Sequence, residues 1–196
     1  MTLNVVPHYH VPMLNDQMRN DAYYRALAKV ITPDSVVVDV GAGSGLLSCM
    51  AAKLGARKVF AVERRGELCT VVLHEIIKAN NFTSVIEPIC NDATAVTAGD
   101  LIHWGENGPA PPTILVSETL DSYIIGEGFL SILYDWKYRE VLPANTIYIP
   151  HHGQLHMQLI QSSYLLNESQ TVHGFDFSPL DRHRLHNEVG EGVVVG

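Results

Sequence analysis

The sequence predicts an α/β fold, a parallel sheet covered by helices on both faces. Three observations carry this. SVVVDV, RKVFAVE, SVIEPIC and TILVSE are short apolar runs rich in β-branched residues, as strands buried on both faces are. Segments of helical pattern separate most of them, and such alternation builds parallel sheets. The glycine cluster GAGSG sits between the first strand and the helix after it.

The elements follow in order. MLNDQMRNDAYYRALAKVI reads as one helix, with Asn15 or Asp16 as its cap and Pro33 just beyond its end. LLSCMAAKLG is the helix after the glycine loop, stopped by Gly55. GELCTVVLHEIIKANN is the next helix, and FLSILYDWKYREVL is a third crossover helix closed by Pro143. TAGDLIHWGENGPAPP is dense in Pro and Gly and reads as a loop. Beyond Pro150, GQLHMQLIQS alternates apolar and polar residues, as a half-exposed antiparallel strand does.

Composition narrows the function. With 46% apolar residues, 196 residues suffice for one domain and part of a second. The net charge of −8 and the lack of a Lys/Arg run argue against direct nucleic-acid binding. Asp39 and the glycines interrupt the most apolar stretch, which excludes a membrane span there. MTLNVVPHYH lacks the charged and apolar regions of a secretory leader. Three cysteines without CxxC spacing are expected to be thiols packed as small hydrophobes in a reduced, intracellular protein. HxH and HH pairs in separate regions lack a third ligand, so no metal site is expected.

The candidate site begins at the glycine loop. Gly41 and Gly43 let a ligand approach the backbone at the carboxyl edge of the sheet. Glu63 ends the next strand, where a carboxylate can take both ribose hydroxyls of a nucleoside. The spacing is GxGxG, not GxGxxG, and Asp39 beside the loop would repel a pyrophosphate. S-adenosylmethionine, which has no phosphate, therefore fits better than NAD. Its carboxylate needs a cation, and Arg19 is the candidate, sharing a helix face with Asn15 and Tyr23. In VSETLDSYIIGEGF, Glu118 and Glu127 stand nine residues apart with no basic residue between them.

Together these stretches resemble the protein arginine N-methyltransferase family. MLNDQMRNDAYY is similar to its MLxDxxRxxxY helix, VVVDVGAGSGLLSCMAAKLGARKVFAVE to its glycine motif and ribose-binding acid, and SETLDSYIIGEG to its double-glutamate loop. PANTIYIPHHGQLHMQLI looks like the crossing into its β-barrel, and HGFDFSPL like the start of its dimerisation arm.

The resemblance implies a Rossmann-like methyltransferase domain at 33–150, preceded by a helical segment at 1–32 that covers the cofactor. The start of a β-barrel, incomplete, follows at 151–196. It implies methyl transfer from S-adenosylmethionine to the guanidinium of arginine in proteins, leaving S-adenosylhomocysteine. Arg19, Asp39, Gly41, Gly43 and Glu63 would hold the cofactor, and Glu118 and Glu127 would be catalytic. Asp92, Ala93 and Thr94 would meet the adenine; Thr94 stands where the family often has glutamate.

Met13, Asp121 and Phe129 would border the substrate pocket, although Asp121 reads equally as the cap of the following turn. Leu120-Asp121-Ser122 and Phe129 place the loop nearer the monomethylating, type III branch. The family's Thr-His-Trp barrel loop is absent, and the chain is expected to stop within the arm. The implied partner is an arginine-containing protein, the implied assembly a dimer through the arm of a longer chain, and the implied location cytoplasm or nucleus. The alternatives are a non-catalytic fragment that binds the cofactor or a partner, and a small-molecule methyltransferase.

Overall fold

Parallel pairing organises the observed fold. A computed structural model of the protein describes residues 6–7, 10–106, 108–120, 126–156, 171–172 and 174–179. Five strands form one sheet: β1 (Val36–Val40), β2 (Lys58–Val62), β3 (Ile86–Ile89), β6 (Ile114–Ser117) and β7 (Ile147–Ile149). Their order is β3-β2-β1-β6-β7, and every pairing is parallel. The chain winds outward from β1 to β3, then returns past β1 to β6. The two halves of the sheet thus diverge between β1 and β6, the place where open α/β sheets bind ligands.

The sheet divides two apolar layers. Every residue of β1 is buried. Val37, Val59, Ala61, Ile114 and Val116 pack on one face with Leu27, Ala51, Leu73 and Ile77. Val36, Val38, Phe60, Val62 and Leu115 pack on the other with Leu101, Phe129 and Trp136. Strand alternation puts neighbouring residues on opposite faces, so continuous apolar runs serve both layers.

Three sequence expectations change. The first helix is two helices, α1 (His10–Asn15) and α2 (Gln17–Val30). Asp16 divides them because its side chain accepts the Arg19 backbone N–H at 3.0 Å, an N-cap that starts a new helix. After α3 (Leu46–Lys53) and β2, a π-helical turn (Leu68–Leu73) runs directly into α4 (His74–Ala79). The expected loop over 97–112 holds a capped 3₁₀ turn (Ala98–Leu101) and a hairpin of β4 (His103–Gly105) with β5 (Gly108–Ala110). Gly108, at φ +92°, allows that tight reversal.

The cysteine reading is also corrected. Cys69 and Cys90 form a disulfide, and Cys49 is the free thiol. Pairing of β2 with β3 carries the turn after one strand beside the end of the other, with Cα atoms 5.5 Å apart. Sequence spacing gave no sign of that proximity.

The last crossover helix is α5 (Phe129–Tyr138), shorter than expected because the backbone leaves the helix at Arg139. Among the described residues no helix is long and apolar enough to cross a membrane. The chain divides into two compact units at Gly153. In the second, the described residues form an antiparallel pair of β8 (Thr171–Val172) and β9 (Phe175–Asp176), with Gly174 at φ +83° between them. Most of the strand expected over 153–162 lies outside the described residues, as do His173 and Leu180 at the ends of the arm-like motif.

Trp136 links the helical layer to the sheet edge. Its side chain is 1% exposed, and its indole Nε1–H donates to the Ala93 carbonyl at 2.7 Å. Trp136→Phe removes that donor and is expected to cost about 1–3 kcal/mol in urea unfolding. A loss indistinguishable from zero would show that the bond contributes nothing.

Candidate functional site

A cavity of about 570 Å³ opens at the carboxyl ends of β1, β2 and β6. The glycine loop forms its floor. Gly41 and Ala42 donate backbone N–H groups to the Val62 carbonyl at 2.9 and 3.0 Å. Gly41 has φ +76°, and a Cβ there would lie 2.1 Å from the Thr119 methyl carbon. A side chain there would be strained and would displace Thr119, so glycine is strongly favoured at this position. Gly43 donates its N–H to Glu63 Oε2 at 2.8 Å. The Arg65 N–H donates to Oε1 of the same carboxylate, also at 2.8 Å. Two backbone donors therefore hold Glu63, while a carboxylate keeps further lone pairs for a ligand.

Asp39 lies deeper. It is 1% exposed, and Oδ2 accepts the Ser48 hydroxyl of α3 at 2.6 Å. Burial drives its carboxyl up to about 7, against the opposing Ser48 hydrogen bonds and aided by the charges of Glu63 and Glu118.

Helix α2 closes one side of the cavity through two residues on one face. The Tyr23 hydroxyl donates to the Ser117 carbonyl at 3.0 Å. One turn earlier, Arg19 Nη1 meets Glu118 Oε1 at 3.0 Å, and Nη2 donates to the Met13 carbonyl at 2.6 Å. The ion pair is largely shielded from water, at 11% and 19% exposure, so Arg19 organises the wall as well as charging it. Burial raises the Glu118 carboxyl, while Arg19 opposes the rise and Glu127 adds to it. Burial, reinforced by Glu118, likewise pushes the Tyr23 hydroxyl up. The Ser117 hydroxyl donates to the Val40 carbonyl at 2.7 Å, joining the ends of β6 and β1.

Of the residues singled out in the sequence, Met13, Arg19, Asp39, Gly41, Gly43, Glu63, Asp92, Ala93, Glu118 and Glu127 all line this cavity. Thr94 is not among the lining residues; its hydroxyl donates to Asp92 Oδ1 at 2.6 Å. Phe129 is also outside the lining: it starts α5 with its side chain 3% exposed in the core. Asp121 lies outside the described residues.

Some residues in or around the cavity were not singled out in the sequence as part of the site. His10 lines the cavity, its ring close to Gly43, and burial, followed by the Arg65 charge, lowers its pKa. Ser48 meets Asp39 only because the glycine loop folds α3 back beside β1, and Ser117 meets Val40 across paired strands 77 residues apart. Tyr23 shares a face with Arg19 and stands at the tyrosine of the MLxDxxRxxxY pattern, but its contact with the Ser117 carbonyl is not legible in the sequence.

The profile of the ribosomal protein L11 methyltransferase (PrmA) family matches residues 23–102. An arginine N(omega)-methyltransferase of Streptomyces achromogenes subsp. streptozoticus is 36% identical over 176 residues, covering 88% of this chain and 46% of that protein. Protein arginine N-methyltransferase 7 of Oryza sativa subsp. indica is 31% identical, covering 90% of this chain and 26% of its own length. A chain of the Trypanosoma brucei PRMT1 enzyme-prozyme heterotetrameric complex with AdoHcy superposes with a TM-score of 0.70 at 26% identity, over 90% of this chain and 53% of that one. The fold and the cavity at its switch point define a Rossmann-like domain of the S-adenosylmethionine-dependent methyltransferase class. Within that class, the chain is similar to the arginine N-methyltransferases just described, and it spans less than half the length of the two curated relatives.

Two measurements check the electrostatics. Folding lifts the Asp39 carboxyl from 3.8 to about 7, so its protonated form favours the folded state. That contribution is complete below about pH 4 and is lost as pH rises through about 7. Asp39→Asn is therefore expected to gain stability relative to the parent between about pH 4 and pH 8 in thermal unfolding; a gain in the other direction would contradict the burial. Arg19→Met removes the cation that restrains Glu118. Its carboxyl should titrate higher still by carboxylate-resolved NMR, and an unchanged midpoint would mean that the ion pair is not formed in solution.

Proposed function

We propose that this chain is the cofactor-binding and catalytic part of an S-adenosylmethionine-dependent arginine N-methyltransferase. The observation that carries this reading is that Glu118 and Glu127 line the same cavity as the glycine loop and Glu63. Acids splayed to opposite faces of the molecule could not grip one ligand.

The residues present fit the cofactor. Glu63 offers acceptors to ribose hydroxyls, and the glycine loop allows close approach without a side chain. The cavity volume lies within the range of small-molecule sites. When bound, S-adenosylmethionine supplies an electrophilic methyl group. Arg19 supplies the cation for its carboxylate, and a wall rich in Asp and Glu suits a positively charged donor.

Glu118 and Glu127 act on the second ligand. A guanidinium is planar, stays charged and presents a fork of donors, which two carboxylates can hold from two edges. Charge-assisted bonds of this kind contribute about 1.5–3 kcal/mol each. Gripping the group fixes one terminal nitrogen toward the cofactor side of the cavity, which supplies orientation. The carboxylates also draw positive charge from the attacking nitrogen, and a glutamate or water takes the released proton. Arg19 already sits on Glu118, so this wall is suited to a guanidinium.

The substrate of the reading is arginine within a protein, with the product monomethylated on the evidence of the loop sequence. Free arginine is the second reading, favoured by the name of the Streptomyces relative. A dimer made through an arm of a longer chain, and a cytoplasmic or nuclear location, complete the proposal.

Transfer of labelled methyl from S-adenosylmethionine to an arginine-rich peptide and to free arginine separates the two substrates. Glu118→Gln and Glu127→Gln are expected to abolish transfer while cofactor affinity stays within about tenfold, or about 1.4 kcal/mol. Activity retained by both variants would overturn the assigned roles.

A further inference from the structure

We infer that Cys69 and Cys90 form a thiol–disulfide site that tunes the neighbouring cavity's affinity for its nucleoside ligand, with small disulfides such as glutathione disulfide as oxidants. The ligand's identity rests on the function proposed above.

Geometry places the cross-link across two walls of the cavity. Leu68 directly precedes Cys69 and Asn91 directly follows Cys90, and both line the cavity. Cys69 belongs to the π-helical turn after β2, and Cys90 follows β3. The bond thus ties together the two segments that leave adjacent strands at the ligand-binding edge. The Cys90 segment continues into Asp92 and Ala93, whose carbonyl is held by Trp136. Closing the bond limits the separation of these walls before a ligand arrives, and preorganisation of this kind strengthens binding.

The two sulfurs differ in access. Cys69 is 0% exposed within the core, whereas Cys90 lies exposed. Exchange therefore starts at Cys90. To close the bond, the Cys90 thiolate attacks one sulfur of glutathione disulfide, and one glutathione leaves and takes up a proton. Cys69 then gives up its proton and attacks the mixed disulfide at Cys90, releasing the second glutathione. Two cysteine thiols lose two electrons, and one glutathione disulfide becomes two thiols. Reduction reverses the sequence, with a glutathione thiolate attacking the Cys90 sulfur. The accessible Cys90 end leaves the bond open to exchange.

Linkage gives the site two readouts. If closing the bond raises affinity for the ligand, the ligand must favour the closed bond by the same factor. The test uses the whole chain carrying Cys49→Ser, so that Cys69 and Cys90 are its sole thiols. S-adenosylhomocysteine is titrated calorimetrically into oxidised and reduced protein, with the redox state checked by mass after thiol alkylation. The expected result is binding at least about fivefold tighter in the oxidised form. A further variant with Cys69→Ser and Cys90→Ser should bind equally in both buffers. In a glutathione redox buffer, adding S-adenosylhomocysteine should raise the oxidised fraction.

Equal affinity in the two verified redox states overturns this inference and leaves the proposed function standing. Two free thiols under glutathione disulfide also overturn it. Absence of binding in both states overturns the inference together with the cofactor assignment.

Discussion

The register of β1 between its neighbours is the constraint on which the site depends. Val40 lies opposite Val62 on one side and Ser117 on the other, so three strands end level at one edge. The next residues out of these strands are Gly41, Glu63 and Glu118. Three short hydrogen bonds support the alignment: the Ser117 hydroxyl reaches the Val40 carbonyl, and Gly41 and Ala42 both close onto the Val62 carbonyl. A slip of one residue would exchange the faces of every strand side chain and bring Asp39 out of reach of Ser48. Packing of the two apolar layers and placement of the polar residues are therefore one requirement.

Carboxylates gathered at that edge repel one another, and the fold answers in different ways. Asp39 is buried against one hydroxyl, and its proton affinity rises until neutrality is accessible near pH 7. Glu63 accepts two backbone N–H groups. Glu118 takes a guanidinium from α2. Each solution costs less than leaving a charge buried and unpaired. The third has a chemical consequence, because the cation can be shared with an anionic ligand while its carboxylate turns to another cation. The same ion pair sits one helical turn from the Tyr23 contact, so α2 is fastened to the sheet where the cavity opens.

Support for the opposite wall comes from elements outside the lining. Trp136 reaches across from α5 to hold Ala93, and the Cys69–Cys90 bond joins the segments that follow β2 and β3. Both act on backbone rather than on ligand-facing side chains. Similarity to the arginine methyltransferases extends over the Rossmann-like part of the chain, while each of the two curated relatives has more than twice the matched length.

Local pattern was enough to determine the parallel α/β class, the glycine loop and the acids at strand ends. Runs buried on both faces, strand–helix alternation and a turn that excludes side chains leave their mark on consecutive residues. The pairing of Glu118 with Glu127 in one site was readable only through a resemblance, since nine residues of spacing say nothing about direction in space. Tertiary structure alone decided the rest. It joined Cys69 to Cys90 across neighbouring strands, set Ser48 on Asp39, left Thr94 outside the cavity lining and sank Phe129 into the core. Such contacts arise when chain segments meet after packing, and the energy that selects them depends on burial and strand register, quantities that no short stretch of sequence contains.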